Sequence, residues 1–439
     1  MTGYLVDISI VSILETAYKL SSFRINHMEQ WINFEQSLNQ RLNRENLDNQ
    51  QTKAKNFSLT GHALVRGVAG SGKSLVLRNR VEKLIDDGYD NILILCYNRF
   101  MNGWLSSKLA EKDIKVTCKT FNKWAYRIGY TYEWNDNPNL RKRIIDLVEQ
   151  NAKHYYQAIL IDEAQDFYDE WFQALLSAVK PDTNSIFFVY DNTQSVYGQP
   201  HRLNDNWSWR SLGFDVVGRS QIFELNYRNS PEILELAWQF IFPYLSSANM
   251  KVAKRSEAGG KIGHIVEPVK KASRSSSIKP LTVKSDLSAS SIAKQIQLAL
   301  NSNADSSIGV LLHPQESKEF KQEISDCLED LDIENHAPLR SEHRDHNVVS
   351  RPFVIIDSWN ALKGVEFDAV IIAGIDMVDE LPDPDKDFQE KAGLYTAMTR
   401  ARDHLIMLYE EETPVVQQIQ KILESPDVLD WDINMSESA

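Results

Sequence analysis

Residues Gly67 to Ser74 read Gly-Val-Ala-Gly-Ser-Gly-Lys-Ser, the complete G-x-x-x-x-G-K-[ST] spacing. Glycines at these offsets let the backbone curl with its N–H groups facing inward, and a helix starting at the end of the loop adds a partial positive charge. Such a cradle suits a polyphosphate. Gly67, Gly70, Ser71 and Gly72 would line it, Lys73 would reach the β and γ phosphates, and the Ser74 hydroxyl would ligate Mg²⁺. Further along, Ile159-Leu160-Ile161-Asp162-Glu163-Ala164-Gln165-Asp166 closes an apolar run with adjacent carboxylates. Asp162 would hold Mg²⁺ through water, while Glu163 would polarise the water that attacks the γ phosphate. The two motifs together predict hydrolysis of a nucleoside triphosphate.

These residues need particular elements to hold them. Ala63-Leu64-Val65 reads as a buried strand entering the glycine turn, and apolar residues from Ser74 towards Val81 and Leu84 recur with helical spacing. Ala158 to Ile161 is apolar enough to be a buried strand, which puts Asp162 at a C-terminal strand end, where α/β sheets collect ligands. From Ala63 to about Asn229, runs such as Ile92 to Cys96 and Ile186 to Tyr190 alternate with helical stretches. The pattern predicts a doubly wound parallel sheet. A second α/β unit should follow, with strands at Ile308 to Leu312, Phe353 to Ile356, Ala369 to Ala373 and His404 to Leu408. Its helices are expected near Ser290 to Leu300 and Gln389 to Arg402. Two such units imply a cleft between them.

At 439 residues the chain has room for two or three domains, and its net charge of −13 argues against a generally basic nucleic-acid coat while leaving room for a local basic channel. The boundaries read as a helical segment 1–50, a first α/β domain 51–230, a connecting or reduced accessory segment 231–285 and a second α/β domain 286–439. Lys251 to Lys284 is rich in Lys, Arg and Ser, and reads equally well as a phosphate-contacting stretch or a solvated linker. Asp376 to Asp387, with Pro382 and Pro384, reads as a turn-forming surface connection. No run approaches the ~20 apolar residues of a membrane span, so no membrane partner is expected. Val6 to Leu14 has neither a basic flank nor a cleavage site, and Cys96, Cys118 and Cys327 lack metal-ligand spacing. The expectation is a cytoplasmic protein with reduced core cysteines.

Several further motifs stand in order around the first two. Cys96-Tyr97-Asn98-Arg99 and Thr120-Phe121-Asn122-Lys123-Trp124-Ala125 come before the acidic strand; Tyr190-Asp191-Asn192-Thr193-Gln194-Ser195-Val196-Tyr197 and Leu225-Asn226-Tyr227-Arg228-Asn229-Ser230 come after it. Lys363-Gly364-Val365-Glu366-Phe367-Asp368 and Tyr395-Thr396-Ala397-Met398-Thr399-Arg400-Ala401-Arg402 complete the set. In this order they resemble the UvrD/Rep-like superfamily 1 DNA helicases, from about Gln51 to Arg402. The resemblance implies two RecA-like domains with an ATP cleft between them, ATP and Mg²⁺ as cofactors, and single-stranded DNA as partner, with RNA an open alternative. It implies that Gln51 reads adenine and Gln194 senses the γ phosphate. Arg228 and Arg400 would meet that phosphate from opposite sides of the cleft, and Tyr227, Gly364 and Glu366 would complete the nucleotide site. Strand contacts would come from Tyr97, Asn98, Phe121, Trp124, Trp207 and Asn360.

The chain departs from the pattern in places. Lys73 and Asp162 stand too close together in the chain for a large insertion, as do Arg228 and Lys363, so the accessory domains are expected to be reduced. Asn360 stands where the resembled proteins usually carry His, and Gln199 where they commonly have an aromatic; either Trp207 or Trp209 compensates for that loss or the stacking site differs. The resulting expectation is an ATP-dependent 3′-to-5′ translocase or helicase on single-stranded DNA. The alternative is a nucleotide-gated ATPase subunit that recruits or licenses a partner nuclease or another repair or defence protein.

Overall fold

The computed structural model describes residues 47–96, 99, 102, 106, 116–131, 138–194, 207–247, 251–253, 264–266, 268, 278–302, 306–345, 354–378 and 380–425. In chain order its first half carries α1 (Asn49–Lys55), β1 (His62–Gly67), α2 (Lys73–Asp86), β2 (Ile92–Cys96), β3 (Thr117–Thr120), α3 (Phe121–Arg127), α4 (Pro138–Asn151), β4 (Ala158–Ile161), α5 (Asp169–Ala178), β5 (Ser185–Tyr190) and β6 (Ser220–Phe223). After α6 (Pro231–Ser247) and the short strands β7 (Lys251–Ala253) and β8 (His264–Val266) come β9 (Leu281–Lys284), α7 (Ala289–Ser302), β10 (Ile308–Leu312), α8 (Lys318–Glu329), β11 (Asn335–His336), β12 (Val354–Ser358), β13 (Phe367–Ala373), α9 (Pro384–Met398), β14 (Ala401–Tyr409) and α10 (Pro414–Leu423).

The strands form two six-stranded sheets, ordered β3-β2-β4-β5-β1-β6 and β11-β12-β10-β13-β14-β9. All pairings within them are parallel, for example Leu64 beside Phe188 and Val310 beside Ile371. This is the α/β architecture the alternation implied, consistent with two RecA-like domains. Strands β1, β2, β4, β5, β10 and β13 are buried at every position, because helices cover both faces of a parallel sheet. Continuous apolar runs are the sequence form of that burial.

One apolar core runs through both sheets. Val65, Val76 and Val189 of the first sheet's side and Val370, Leu405 and Met407 of the second belong to the same cluster, joined by Ile233, Leu236, Phe240 and Ile241 of α6. That helix packs on α9, α10 and β14. The Tyr244 hydroxyl donates to Gln418 Oε1 at 2.7 Å, and Gln418 Nε2 donates to the Phe240 carbonyl at 3.1 Å. Opposite faces are closed by separate clusters around Phe121, Trp171 and Phe188, and around Ile292, Val310 and Ile324.

Three local expectations need correction. Leu281–Lys284, read by composition as connector, is the edge strand of the second sheet, paired with β14. The helix expected near Gln389 to Arg402 begins at Pro384, a residue suited to a first helical turn, and stops at Met398. Arg400 therefore lies in the turn before β14, and the last residues of the acidic connection are helical. The first 46 residues, the strand start at Phe353 and most of Lys251 to Lys284 lie outside the described residues.

Candidate active site

β1 delivers the chain to the glycine loop and α2 leaves it. Gly70 and Gly72 both hold left-handed backbone, at φ 65° and 82°. A Cβ on Gly70 would fall 2.5 Å from Arg228 Cβ, and one on Gly72 would fall 2.5 Å from Gln51 Nε2. Glycine is required there for both conformation and space. The Lys73 ammonium donates to the Gly67 and Val68 carbonyls at 2.9 Å each and lies 3.8 Å from Asp191 Oδ2. Ser71 Oγ is buried without a hydrogen-bond partner, beneath Gly67. Gln51 braces the loop from outside: its Nε2 donates to the Ser71 carbonyl at 2.9 Å, and its Oε1 accepts from the Asp48 N–H at 3.1 Å in a capping box that starts α1. These two bonds use one of the amide's two protons and one of its oxygen's two lone pairs.

β4 ends at the acids. The Ser74 hydroxyl donates to Asp162 Oδ2 at 2.9 Å, and the Glu163 N–H donates to Asp162 Oδ1 at 3.0 Å. Burial, followed by the Glu163 charge, pushes the Asp162 carboxyl up to about 7 against the pull of Ser74 and Lys73. Glu163 goes the other way: burial opposes its charge, but Lys363 and Lys73 outweigh it and hold the carboxyl below the usual range. Its Oε2 accepts from Gln165 Nε2 at 2.6 Å. Gln165 Oε1 in turn accepts from the Asp191 N–H at 3.1 Å. Burial lowers the Lys73 ammonium and raises the Asp191 carboxyl, each opposed by the other's charge.

This donor set fits Mg²⁺ with a triphosphate. Ser74 and Asp162 offer a hydroxyl and a carboxylate 2.9 Å apart, hard oxygens of the kind the ion prefers. Among the described residues no group of three or more His, Cys, Asp or Glu could hold a metal without help. Mg²⁺ usually takes its other ligands from phosphates and water. The unpartnered Ser71 hydroxyl belongs to the same glycine loop.

The second sheet supplies the other wall. Arg400, 1% exposed, donates from its terminal guanidinium nitrogen to Gln194 Oε1 at 3.0 Å, and Gln194 Nε2 donates to Asp191 Oδ2 at 2.9 Å. Lys73 and Gln194 thus converge on one carboxylate. Burial, then the nearby Arg228, lowers the Arg400 guanidinium to about 9, so it stays cationic near neutrality. Arg228 lies beside Gly70 and pairs through Nε with Glu366 Oε2 at 2.5 Å. Gly364 sits at φ 87° in the turn ahead of Glu366, and the Tyr227 hydroxyl donates to Asp48 Oδ2. Sequence reasoning passed over the residues that stitch this seam. Asn226 Nδ2 donates to the Ala69 carbonyl at 2.8 Å, and Asn229 Nδ2 donates across to the Thr399 carbonyl at 3.0 Å and to that of Ala401. Two asparagines flanking Tyr-Arg were the available signal.

Residues 50–200 match an AAA domain. The match covers the glycine loop, the acidic strand end and the Gln194 turn, so this part of the chain is a nucleotide-binding module of ATPase type. Comparison with curated proteins gives no match. Among the described residues no helix is long and apolar enough to cross a membrane.

The strand contacts expected from aromatic residues of the first domain need correction. Phe121 and Trp124 are 1% and 2% exposed. Phe121 stacks on Trp171 with centroids 3.8 Å apart, and Trp124 Nε1 donates to the Tyr156 hydroxyl at 3.0 Å. Both are core, because α3 presses its apolar side onto the sheet. Trp207 is half-buried, donates from Nε1 to Asp169 Oδ2 at 3.0 Å and packs edge-on against Trp209, itself core. Asn360, in the turn after β12, keeps a buried side-chain oxygen without a hydrogen-bond partner. Tyr97, Asn98, Gln199 and Ser195 to Tyr197 lie outside the described residues.

Proposed function

We propose that this chain hydrolyses ATP in the seam between its two lobes and uses opening and closing of that seam to move 3′ to 5′ along single-stranded DNA. The observation that carries the reading is the convergence of Arg400 from the second sheet and Lys73 from the first, linked through Gln194 and Asp191. Phosphoryl transfer needs positive charge on the γ phosphate as its bond breaks, and an inserted arginine is worth roughly 10³ to 10⁵ in rate.

The roles follow from placement. The loop N–H groups and Lys73 bind the phosphates, with Gln51 holding the loop in shape. Ser74 and Asp162 would hold Mg²⁺, which when bound neutralises phosphate charge. Glu163 orients the attacking water and takes its proton on the carboxylate oxygen that Gln165 leaves free. Arg228 and Arg400 reach the γ phosphate together only when the lobes are close, which ties hydrolysis to closure.

The test is the ATPase rate with single-stranded DNA, single-stranded RNA and blunt duplex at two salt concentrations, with Lys73→Ala as control. Strongest stimulation by single-stranded DNA and only background turnover in Lys73→Ala are expected. Substantial turnover in that variant would reject the site, and a rate indifferent to every strand would reject the motor. Burial of Phe121 and Trp124 favours keeping a second reading, a nucleotide-gated ATPase that licenses a partner nuclease and separates little duplex itself.

A further inference from the structure

Lys363 stands in the turn between β12 and β13, on the second sheet, yet its ammonium is spent on the first. It donates to Asp166 Oδ2 at 2.6 Å and to the Gln194 carbonyl, and Lys363 and Asp166 are each 1% exposed. Asp166 ends the short 3₁₀ turn Ala164–Asp166, which begins directly after Glu163. Gln194 ends the turn Asn192–Gln194, which follows Asp191. One cation of the second lobe therefore ties together the two first-lobe turns that carry the water-activating acid and the phosphate-sensing amide. A buried carboxylate stripped of its partner is strongly unfavourable. Separating the lobes here requires water to reach Asp166.

We propose that Lys363 is a positioning residue, which sets the Glu163 and Gln194 turns into their working arrangement when the second lobe closes on the first. It acts through those turns rather than on the nucleotide, so its loss should slow the chemical step and leave nucleotide affinity largely intact. A lysine that served only as adhesive between lobes would lower stability without separating kcat from KM. The proposal rests on the ATP-hydrolysis reading above.

The test is kcat and KM for ATP in the wild type, Lys363→Gln, Lys363→Arg, Asp166→Asn and the Lys363→Gln/Asp166→Asn double variant, with a fluorescent ATP analogue as binding probe. Misplacement of catalytic groups by an ångström costs on the order of 10²-fold in rate, so a kcat loss of about that size is expected in Lys363→Gln and Asp166→Asn, with KM and analogue affinity changed less than about threefold. The double variant should be no slower than the slower single one, because both remove one interaction. Lys363→Arg, which keeps the charge, should recover much of the rate, and it decides the matter if Lys363→Gln does not fold. Losses that multiply in the double variant, a change in KM alone, or an unchanged kcat would overturn the proposal. A wild type with no turnover above Lys73→Ala would remove the hydrolysis reading and this coupling with it, whereas an active wild type matched by Lys363→Gln would remove the coupling alone.

Discussion

Glu163 holds a left-handed backbone at φ 53°, a conformation that costs a non-glycine residue roughly 1–2 kcal/mol. The strain falls at the one place where the chain must aim two successive carboxylates differently. Asp162 turns in to Ser74, and Glu163 turns towards Gln165. Their surroundings diverge as well, since burial pushes the Asp162 carboxyl up to about 7 while Lys363 and Lys73 hold Glu163 low. Neighbouring acids with opposed environments are how one site obtains two functions. Glu163→Gln should therefore still bind ATP but lose about 10² to 10⁴ in turnover, the usual contribution of a positioned base. Nucleotide binding measured beside hydrolysis checks it, and near-normal turnover would strip Glu163 of its role. Both acids were legible because they are adjacent in the chain. Asp191 and Asn229 were not, because their partners, Lys73 and Thr399, come from distant segments that only the fold brings together.

At the scale of elements, β1 shows how the loop is aimed. His62 opens the strand, with Nε2 3.1 Å from Asn184 Oδ1 just before β5 and Nδ1 accepting the Asp215 N–H at 3.1 Å ahead of β6. It also packs 4.9 Å from the Phe214 ring. Accepting at Nδ1 requires the neutral ring, and burial lowers its proton affinity below the ordinary value of 6.5. The unfolded chain then takes the proton first, so this contribution to stability is complete above about pH 6.5 and declines as pH falls towards the lower folded value. Denaturant unfolding at pH 7.5 and 5.5 should show a larger acid loss in the wild type than in His62→Gln, and equal losses would remove the effect. The strands were readable from sequence because double-sided burial leaves near-continuous apolar runs. Helix ends were less so: apolar spacing continues through Met398 into β14, and the turn at Thr399 and Arg400 carries no glycine or proline to announce it. The aromatics of α3 misled for a related reason, since a ring beside a strand looks the same whether it faces a base or the core.

At the scale of the whole molecule, the two lobes meet through charged and amide contacts as well as through the apolar core. The cross-lobe contacts of Arg228, Asn229, Lys363 and Arg400 belong to one seam, whereas strand separation needs surfaces that grip a duplex. The intervals from Lys73 to Asp162 and from Arg228 to Lys363 are short, and Phe121 and Trp124 are turned inward. On a forked duplex the isolated protein should therefore hydrolyse ATP in response to the single-stranded arm yet separate the strands poorly. Robust unwinding without a partner would show that reduced architecture suffices.

The apolar seam through α6 bears on how this protein is handled at the bench. Because Ile233, Leu236 and Phe240 are shared property of both sheets, cutting the chain near residue 230 would bare a greasy scar on each fragment. Neither half should behave as a free-standing protein, and the chain is to be purified and assayed in one piece.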